Sequence, residues 1–306
     1  MVSDNSIITI VIVTFNRKEL LLQCLQALST QTQQPSKILI VDNSSTDGTI
    51  ETLQQNGWLE QSKIQLIALK ENMGGAGGFS TGMQSAFEQS AEYIWMMDDD
   101  GYPAVNCLEK LYTTLLEKKL DAISPVQINI NNHNQLAFPI WLNKKQIRGH
   151  VDQIPQDTFL NQEANLFNGL LIHRSVVEKI GLPRKEFFIR GDEVEYTKRF
   201  LKNNIKFGTL TSAKFYHPSD DAERVSCLFG QMVIRDAHSD FKNYYMFRNR
   251  AVAFIEDRNA SLLPLDFIRY SYYFLIHKKF NWKGLKLWCT ATYDGIRRRL
   301  GRHPKY

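Results

Sequence analysis

Three consecutive carboxylates, Asp98-Asp99-Asp100, close the apolar run Tyr93-Ile94-Trp95-Met96-Met97 and are followed at once by Gly101. Adjacent like charges repel, so solvent, a cation or basic neighbours must offset them. The Asp98-x-Asp100 spacing offers two hard oxygen donors, the ligand type that suits Mg2+ or Mn2+. A charged turn after a buried strand is the competing account. A second candidate is Asn72-Met73-Gly74-Gly75-Ala76-Gly77-Gly78-Phe79-Ser80-Thr81-Gly82, with five glycines between positions 74 and 82. Glycine permits positive φ and close approach of backbone to a ligand, and a helix N-terminus beyond it favours anions. Asn72, Gly74, Gly75 and Gly77 are therefore candidates for contact with a phosphorylated ligand. No Gly-Lys-Ser/Thr follows, which argues against a Walker loop, and the run follows the third predicted strand and not the first, which argues against a dinucleotide fingerprint. A third candidate is Arg190-Gly191-Asp192-Glu193-Val194-Glu195. Acids in a first helical turn are explained by capping and the helix dipole, yet a carboxylate fixed there can also act as a general base. His217, in Tyr216-His217-Pro218, is either structural or a metal ligand.

These residues need a frame, and the hydrophobic pattern supplies one. Strand signals fall at 7–14, 37–41, 64–69 and 93–97, and helix signals at 18–30, 49–55 and 82–90. Short apolar strands alternating with helices predict a largely parallel sheet covered on both faces. Ligands bind such sheets outside the carboxyl ends of the strands. Thr14, Asn16 and Arg17 follow the first strand, Asp42 and Asn43 the second, the glycine run the third, and the three aspartates the fourth. Four polar clusters thus converge on one edge. Farther on, 107–119, 175–180 and 192–203 read as helices and 122–130, 168–172 and 206–215 as strands. The stretch 131–165 is polar and irregular and is expected to be partly mobile. Helices are expected from about Ser239 onward.

With 43% hydrophobic and 23% charged residues over 306 positions, the composition is that of a soluble globular protein and excludes a disordered chain. No apolar run approaches the ~18 residues that a membrane span requires. The first apolar stretch lacks a basic flank and a small-residue cleavage site, so it reads as a strand and not a signal peptide. Four scattered cysteines fit free thiols in a reducing cytoplasm. The net charge of +5 is concentrated late: nine Lys and Arg lie between Lys278 and Lys305, against Asp294 alone. Tyr270, Tyr272, Tyr273, Phe274, Phe280, Trp282, Trp288 and Tyr293 interleave with them. A basic, aromatic surface suits an anionic membrane, while no nucleic-acid motif accompanies the charge. Residues 1–220 are read as one α/β domain, with a nucleotide-binding half (1–100) and an acceptor and catalytic half (101–220). Residues 221–306 are read as a helical, basic region in contact with a membrane surface or acceptor. The oligomeric state is left open.

Three segments in order carry a family resemblance: Ile12-Val13-Thr14-Phe15-Asn16-Arg17, Ile40-Val41-Asp42-Asn43-Ser44-Ser45-Thr46-Asp47-Gly48-Thr49, and Asp98-Asp99-Asp100. Across about residues 7–220, and more weakly around 243–249, the chain resembles inverting family 2 glycosyltransferases of the GT-A fold. Asn72 through Phe79 also resembles the Asn-x-Gly-Gly-Ala-Gly-Gly-Phe element of galactofuranosyltransferases. The resemblance implies that Thr14, Asn16, Arg17 and Asp42 line a uridine nucleotide pocket and that Asp98 and Asp100 bind Mn2+ or Mg2+, with Asp99 toward the donor sugar. It implies His217 as a further metal ligand and Glu193 as catalytic base. Here the chain departs from the pattern, with Glu193 in place of Asp and Gly191 in place of Trp, which leaves Asp192 as a rival base. The implied donor is UDP-galactofuranose, with dTDP-rhamnose the alternative. The implied acceptor is a glycan or lipid-linked glycan at the inner face of a bacterial cytoplasmic membrane. A sugar-nucleotide nucleotidyltransferase would need a basic glycine-rich loop after the first strand, which Thr14-Phe15-Asn16-Arg17 is not. A non-catalytic nucleotide-sugar or glycan-binding protein would not need both an acidic pair and a helix-start acid.

Overall fold

The computed structural model describes residues 6–142, 145–219 and 221–306. The first half alternates β1 (Ile8–Thr14), α1 (Lys18–Ser29), β2 (Lys37–Asp42), α2 (Thr49–Gln55), β3 (Ile64–Ala68), α3 (Gly74–Glu88) and β4 (Tyr93–Asp98). Then come β5 (Tyr102–Pro103), α4 (Cys107–Lys118), β6 (Ala122–Asn129), β7 (Ile140–Leu142), β8 (Lys145–Ile147), β9 (Phe159–Asn161), β10 (Asn168–His173), α5 (Arg174–Ile180), α6 (Asp192–Lys202) and β11 (Phe207–His217). The main sheet runs β3-β2-β1-β4-β10-β6-β11-β5, with β9 added on β11. Strands β1, β2, β3, β4, β6 and β11 point one way, and β10, β5 and β9 run against them.

Strand β1 is buried along its whole length, as a β-branched run between two helical layers must be. Successive side chains leave opposite faces. Ile10 and Ile12 join Leu21, Leu25, Trp95 and Leu108 on one side, and Val11 and Val13 join Phe79, Met83, Tyr196 and Phe200 on the other. Register fixes the functional edge: Thr14 lies beside Asp42 on one flank, and Val13 beside Asp98 on the other. Across the sheet His217 pairs with Asn129, so the carboxyl end of β11 contributes as a fourth.

The rest of the chain forms the hairpin β12 (Arg224–Cys227) and β13 (Met232–Arg235), then α7 (Asp240–Glu256), α8 (Leu262–Ser271), a π-helical stretch (Tyr272–His277) and α9 (Trp282–Ile296). Ser239 caps α7 by accepting the Lys242 N–H. A third core of Tyr244, Tyr245, Phe247, Tyr273 and Trp288 holds these elements together. Helix α7 grips the loop ahead of α6. Asn249 Nδ2 donates to the carbonyls of Phe187, Ile189 and Arg190 at 3.0, 3.0 and 2.6 Å.

Three expectations are corrected. The helix expected at 82–90 begins at Gly74, so the glycine run is helix and not loop. The irregular stretch 131–165 contains the β7–β8 hairpin and β9; only residues 143–144 of it lie outside the described residues. His217 ends β11 instead of following it.

Candidate active site

Asp98, Asp99 and Asp100 leave the end of β4 in different directions. Asp99 turns inward, 3% exposed, and its Oδ2 accepts the Thr14 hydroxyl at 2.7 Å. Arg17 Nη1 lies 3.1 Å from Asp99 Oδ1 and 2.6 Å from Asp100 Oδ2. A basic neighbour from the β1–α1 turn therefore offsets two of the three charges. Burial, then the charges of Asp100 and Asp99, push the Asp98 carboxyl well above its ordinary range. Burial also raises Asp99, against the pull of Arg17 and Thr14. Burial opposes ionisation of Asp100 too, but His217 and Arg17 outweigh it and hold its carboxyl low.

The residues expected to line a nucleotide pocket form one knot of turns. Asn16 adopts φ 54°, and its Oδ1 accepts the Thr46 N–H at 2.7 Å, while its own N–H donates to Ser45 Oγ at 2.9 Å. Its side chain is thus spent on joining two turns. Asp42 Oδ2 accepts the Ser45 N–H at 3.1 Å, whereas Asp42 Oδ1 is buried with no hydrogen-bond partner. A buried acceptor left open is costly unless a ligand donor meets it. Asn43 clamps the glycine helix: Oδ1 accepts the Met73 N–H at 2.8 Å, and Nδ2 donates to Gly74 O at 2.9 Å. Sequence reasoning placed Asn43 at the edge but gave it no role; its position directly after Asp42 was the available signal.

The glycines of α3 have separate duties. Gly74, at φ +70°, lies where a Cβ would fall 2.0 Å from Phe188 O, and Asn72 Oδ1 accepts its N–H at 2.8 Å. The Ala76 N–H is taken by Phe188 O at 3.0 Å, so the loop before α6 covers part of the helix start. At Gly77, Gly78 and Gly82 a Cβ would strike Met73, Val13 and Val11 at 2.5, 2.5 and 2.3 Å. At Gly75 a Cβ would meet nothing within 4 Å. Of the glycines proposed for donor contact, Gly75 faces open space while Gly74 and Gly77 serve packing.

The other side of the candidate site is formed by β11 and α6. His217 Nδ1 is 2.7 Å from Pro218 O, which can only accept, so Nδ1 carries the proton. Nε2 lies 3.0 Å from Asp100 Oδ1, a buried oxygen, and without a proton of its own it would set one acceptor against another. Two acceptors in this arrangement call for a second ring proton or a cation between them. A histidine that donates its other N–H to a carbonyl is the usual posture of a metal ligand. The donor set of carboxylate oxygen and imidazole nitrogen suits Mn2+ or Mg2+. Among the described residues no three His, Cys, Asp or Glu side chains already converge as a cation cage. Asp192 opens α6 and is buried, and burial, then the charges of Glu193 and Asp98, push its carboxyl well above the usual range. Glu193 Oε2 accepts the Gly191 N–H at 2.8 Å, and Gly191 takes φ 95° there. Asp98, Asp192 and Glu193 are thus mutually interacting acids, close to the Asp100–His217 pair. The site brings an acidic, cation-compatible edge together with a second group of acids, and a carboxylate so fixed can take a proton from a hydroxyl.

Comparison with known proteins gives the family. The family model described as Glycosyl transferase family 2 matches residues 9–181. A galactofuranosyltransferase, GlfT1, from Mycolicibacterium smegmatis is 30% identical over 99% of this chain and 99% of its own. A dTDP-rhamnosyl transferase, RfbF, from Shigella flexneri is 26% identical over 96% of each. Among solved structures, GalNAc-T7 with UDP, GalNAc and Mn2+ superposes with a TM-score of 0.61 at 15% identity, covering 82% of this chain and 48% of that one. TarS of S. aureus in complex with UDP-GlcNAc gives 0.58 at 17% identity, covering 95% of this chain and 81% of that one. The likeness of fold is that of GT-A enzymes.

Proposed function

The chain belongs to glycosyl transferase family 2, and from that premise we propose that it transfers galactofuranose from UDP-galactofuranose to a hydroxyl of a glycan carried on a lipid. The observation that carries the donor assignment is the end-to-end likeness to galactofuranosyltransferases, at 30% identity over 99% of both chains. A rhamnosyl donor is the second reading, favoured by the 26% identity to a dTDP-rhamnosyl transferase over nearly the same length. Residues 1–220 bind the donor and perform the transfer, and residues 221–306 face the acceptor or membrane.

The reaction is a single displacement with inversion at the anomeric carbon. The open oxygen of Asp42 accepts a base N–H of the nucleotide, a role its burial supports. Thr14 holds Asp99, and Asp99 with Asp100 holds Arg17 at the mouth of the β1–α1 turn, where its guanidinium can also face phosphate. Asp98, Asp100 and His217 are the residues that would hold Mn2+ or Mg2+, which, when bound, stabilises charge on the departing diphosphate. Glu193, with Asp192 the alternative, accepts the proton of the acceptor hydroxyl. Both acids open α6, and Glu193 is anchored there by the Gly191 N–H. Gly75 leaves room for the donor beside α3.

Calorimetric titration with UDP, UDP-galactofuranose, UDP-galactopyranose and dTDP-rhamnose, each with and without Mn2+, tests the proposal. Metal-dependent UDP binding with preference for the furanose donor is expected. Preference for dTDP-rhamnose would overturn the donor while keeping the chemistry. Binding that ignores the metal would return the three aspartates to a charge cluster balanced by Arg17.

A further inference from the structure

The aromatic residues of the C-terminal region do not behave as one surface. Tyr270, Tyr273, Phe274 and Trp288 are core. A different set of apolar side chains faces water. On α8, Leu265 and Ile268 are exposed and turned away from buried Tyr270, Leu262 is exposed at the helix start, and Ile276 is exposed beyond them. Phe280 and Trp282 stand 66% and 63% exposed in the turn into α9. At the tip of the β12–β13 hairpin, Leu228 and Phe229 take φ 49° and 52°, and Phe229 is 106% exposed. A bulky apolar residue such as Phe229, in left-handed backbone and in full contact with water, is unfavourable on two counts, which points to a function outside the isolated fold.

We propose that the outer face of α8, the turn at 276–282 and the β12–β13 tip together seat the protein on a bilayer rich in anionic lipid. The hairpin belongs to this surface because Arg269 of α8 donates to Val233 O at 2.9 Å and Tyr270 Oη to Arg235 O at 3.1 Å. Charge selects the occupant. From Arg258 to Tyr293 the basic residues are Arg258, Arg269, Lys278, Lys279, Lys283 and Lys286. The single acid in that span, Asp266, is buried and paired with Arg250 at 3.1 Å. Lys283 is partly offset by Asp240, while Lys279 and Lys286 make no ion pair among the described residues. Apolar side chains interleaved with cations match the acyl boundary and headgroups of an anionic bilayer. A second copy would set the same basic band against itself.

The placement also serves the site. Glu223, just before β12, accepts Arg190 Nη1 at 2.7 Å, and Arg190 stands two residues before Asp192. The element that meets lipid is thereby tied to the loop that presents the proton-accepting acids. This use of the surface rests on the reading of a lipid-linked acceptor.

The test is flotation of the full chain with vesicles of phosphatidylcholine alone and of phosphatidylcholine with about a third phosphatidylglycerol. The chain floats with the anionic vesicles and not the neutral ones. Phe229→Ser weakens that partition about tenfold or more, from the apolar burial lost. Lys279→Ala and Lys286→Ala weaken it by about fivefold each. Titration of the same samples with UDP and Mn2+ is unchanged by all three substitutions. Equal flotation on neutral vesicles, or indifference to Phe229→Ser, overturns the proposal. So does a concentration-dependent dimer that Phe229→Ser dissolves, because it assigns the face to a second copy. Loss of UDP binding in the unmodified chain would instead sink the transferase reading and leave the flotation result standing.

Discussion

The glycine helix yields a prediction in which two neighbouring substitutions must behave oppositely. Alanine at position 78 would put a Cβ 2.5 Å from Val13 Cγ1 and 3.2 Å from Cγ2. Carbon atoms in contact prefer ~3.5–4.0 Å, so α3 must retreat from the sheet by about 1 Å. Val13 cannot yield, because β1 is hydrogen-bonded to β2 and β4 on either side. Overpacking of this kind costs about 1–3 kcal/mol, and the gain in helix propensity returns at most ~1 kcal/mol. Gly78→Ala should therefore lower stability by about 1–2 kcal/mol net, a fall in Tm of about 2–3 °C in a chain of 306 residues. In a Val13→Ala background the obstacle is gone and only propensity remains, so the same substitution should raise stability by up to ~1 kcal/mol. Gly75→Ala meets no atom within 4 Å, so Tm should hold or rise slightly. The added methyl occupies the space proposed for the donor, and affinity for UDP-galactofuranose should fall about tenfold, ~1.4 kcal/mol. Calorimetric melts and donor titrations on the four variants read both effects. A neutral Gly78→Ala, or no change of sign with Val13→Ala, would refute the packing argument; undiminished donor affinity in Gly75→Ala would refute the open space as a donor seat.

Three more outcomes follow from the acids. Glu193→Gln should lower turnover about 10²-fold or more while UDP affinity survives; near-normal turnover, with collapse in Asp192→Asn instead, would move the base to Asp192. Asp98 binds its proton more tightly folded than unfolded, so it destabilises the fold increasingly as pH rises above the ordinary carboxylate range of ~4. Asp98→Asn should then be more stable by about 0.5–2 kcal/mol at neutral pH in chelator, with the advantage fading toward acid pH in thermal melts. An unchanged or lower Tm at neutral pH would contradict it. Replacing His217 by Ala should abolish most of the Mn2+ dependence of UDP binding, by about tenfold to a hundredfold in metal affinity. Retention of that dependence would leave His217 a structural partner of Asp100.

The edge of the site was legible because its residues sit at strand ends, and strand ends are written in the sequence as the point where a buried run stops. Thr14, Asp42 and Asp98 each close such a run, and parallel pairing then brings them side by side. The glycine segment was misread for a reason of the same kind. Propensity treats glycine as a breaker of helices, but propensity is weak beside packing, and a helix pressed against Val11 and Val13 accepts nothing larger. Asn16 was placed correctly and its use was not visible, because the Thr46 N–H that occupies it lies thirty residues away. The short strands of 131–165 carry no pattern of their own; β9 exists because the edge of β11 receives it. The C-terminal aromatics show the limit most clearly. Tyr270 and Ile268 are two positions apart on one helix, and only tertiary contact decides that the first is core and the second exposed. Composition could therefore say that this region was basic and aromatic, but not which apolar groups remained free. Phe229 has no periodicity to announce it, since a four-residue tip is too short for one. Its exposure is a property of the hairpin alone, and so the residue on which the proposed membrane contact most depends is also the one that local sequence could least disclose.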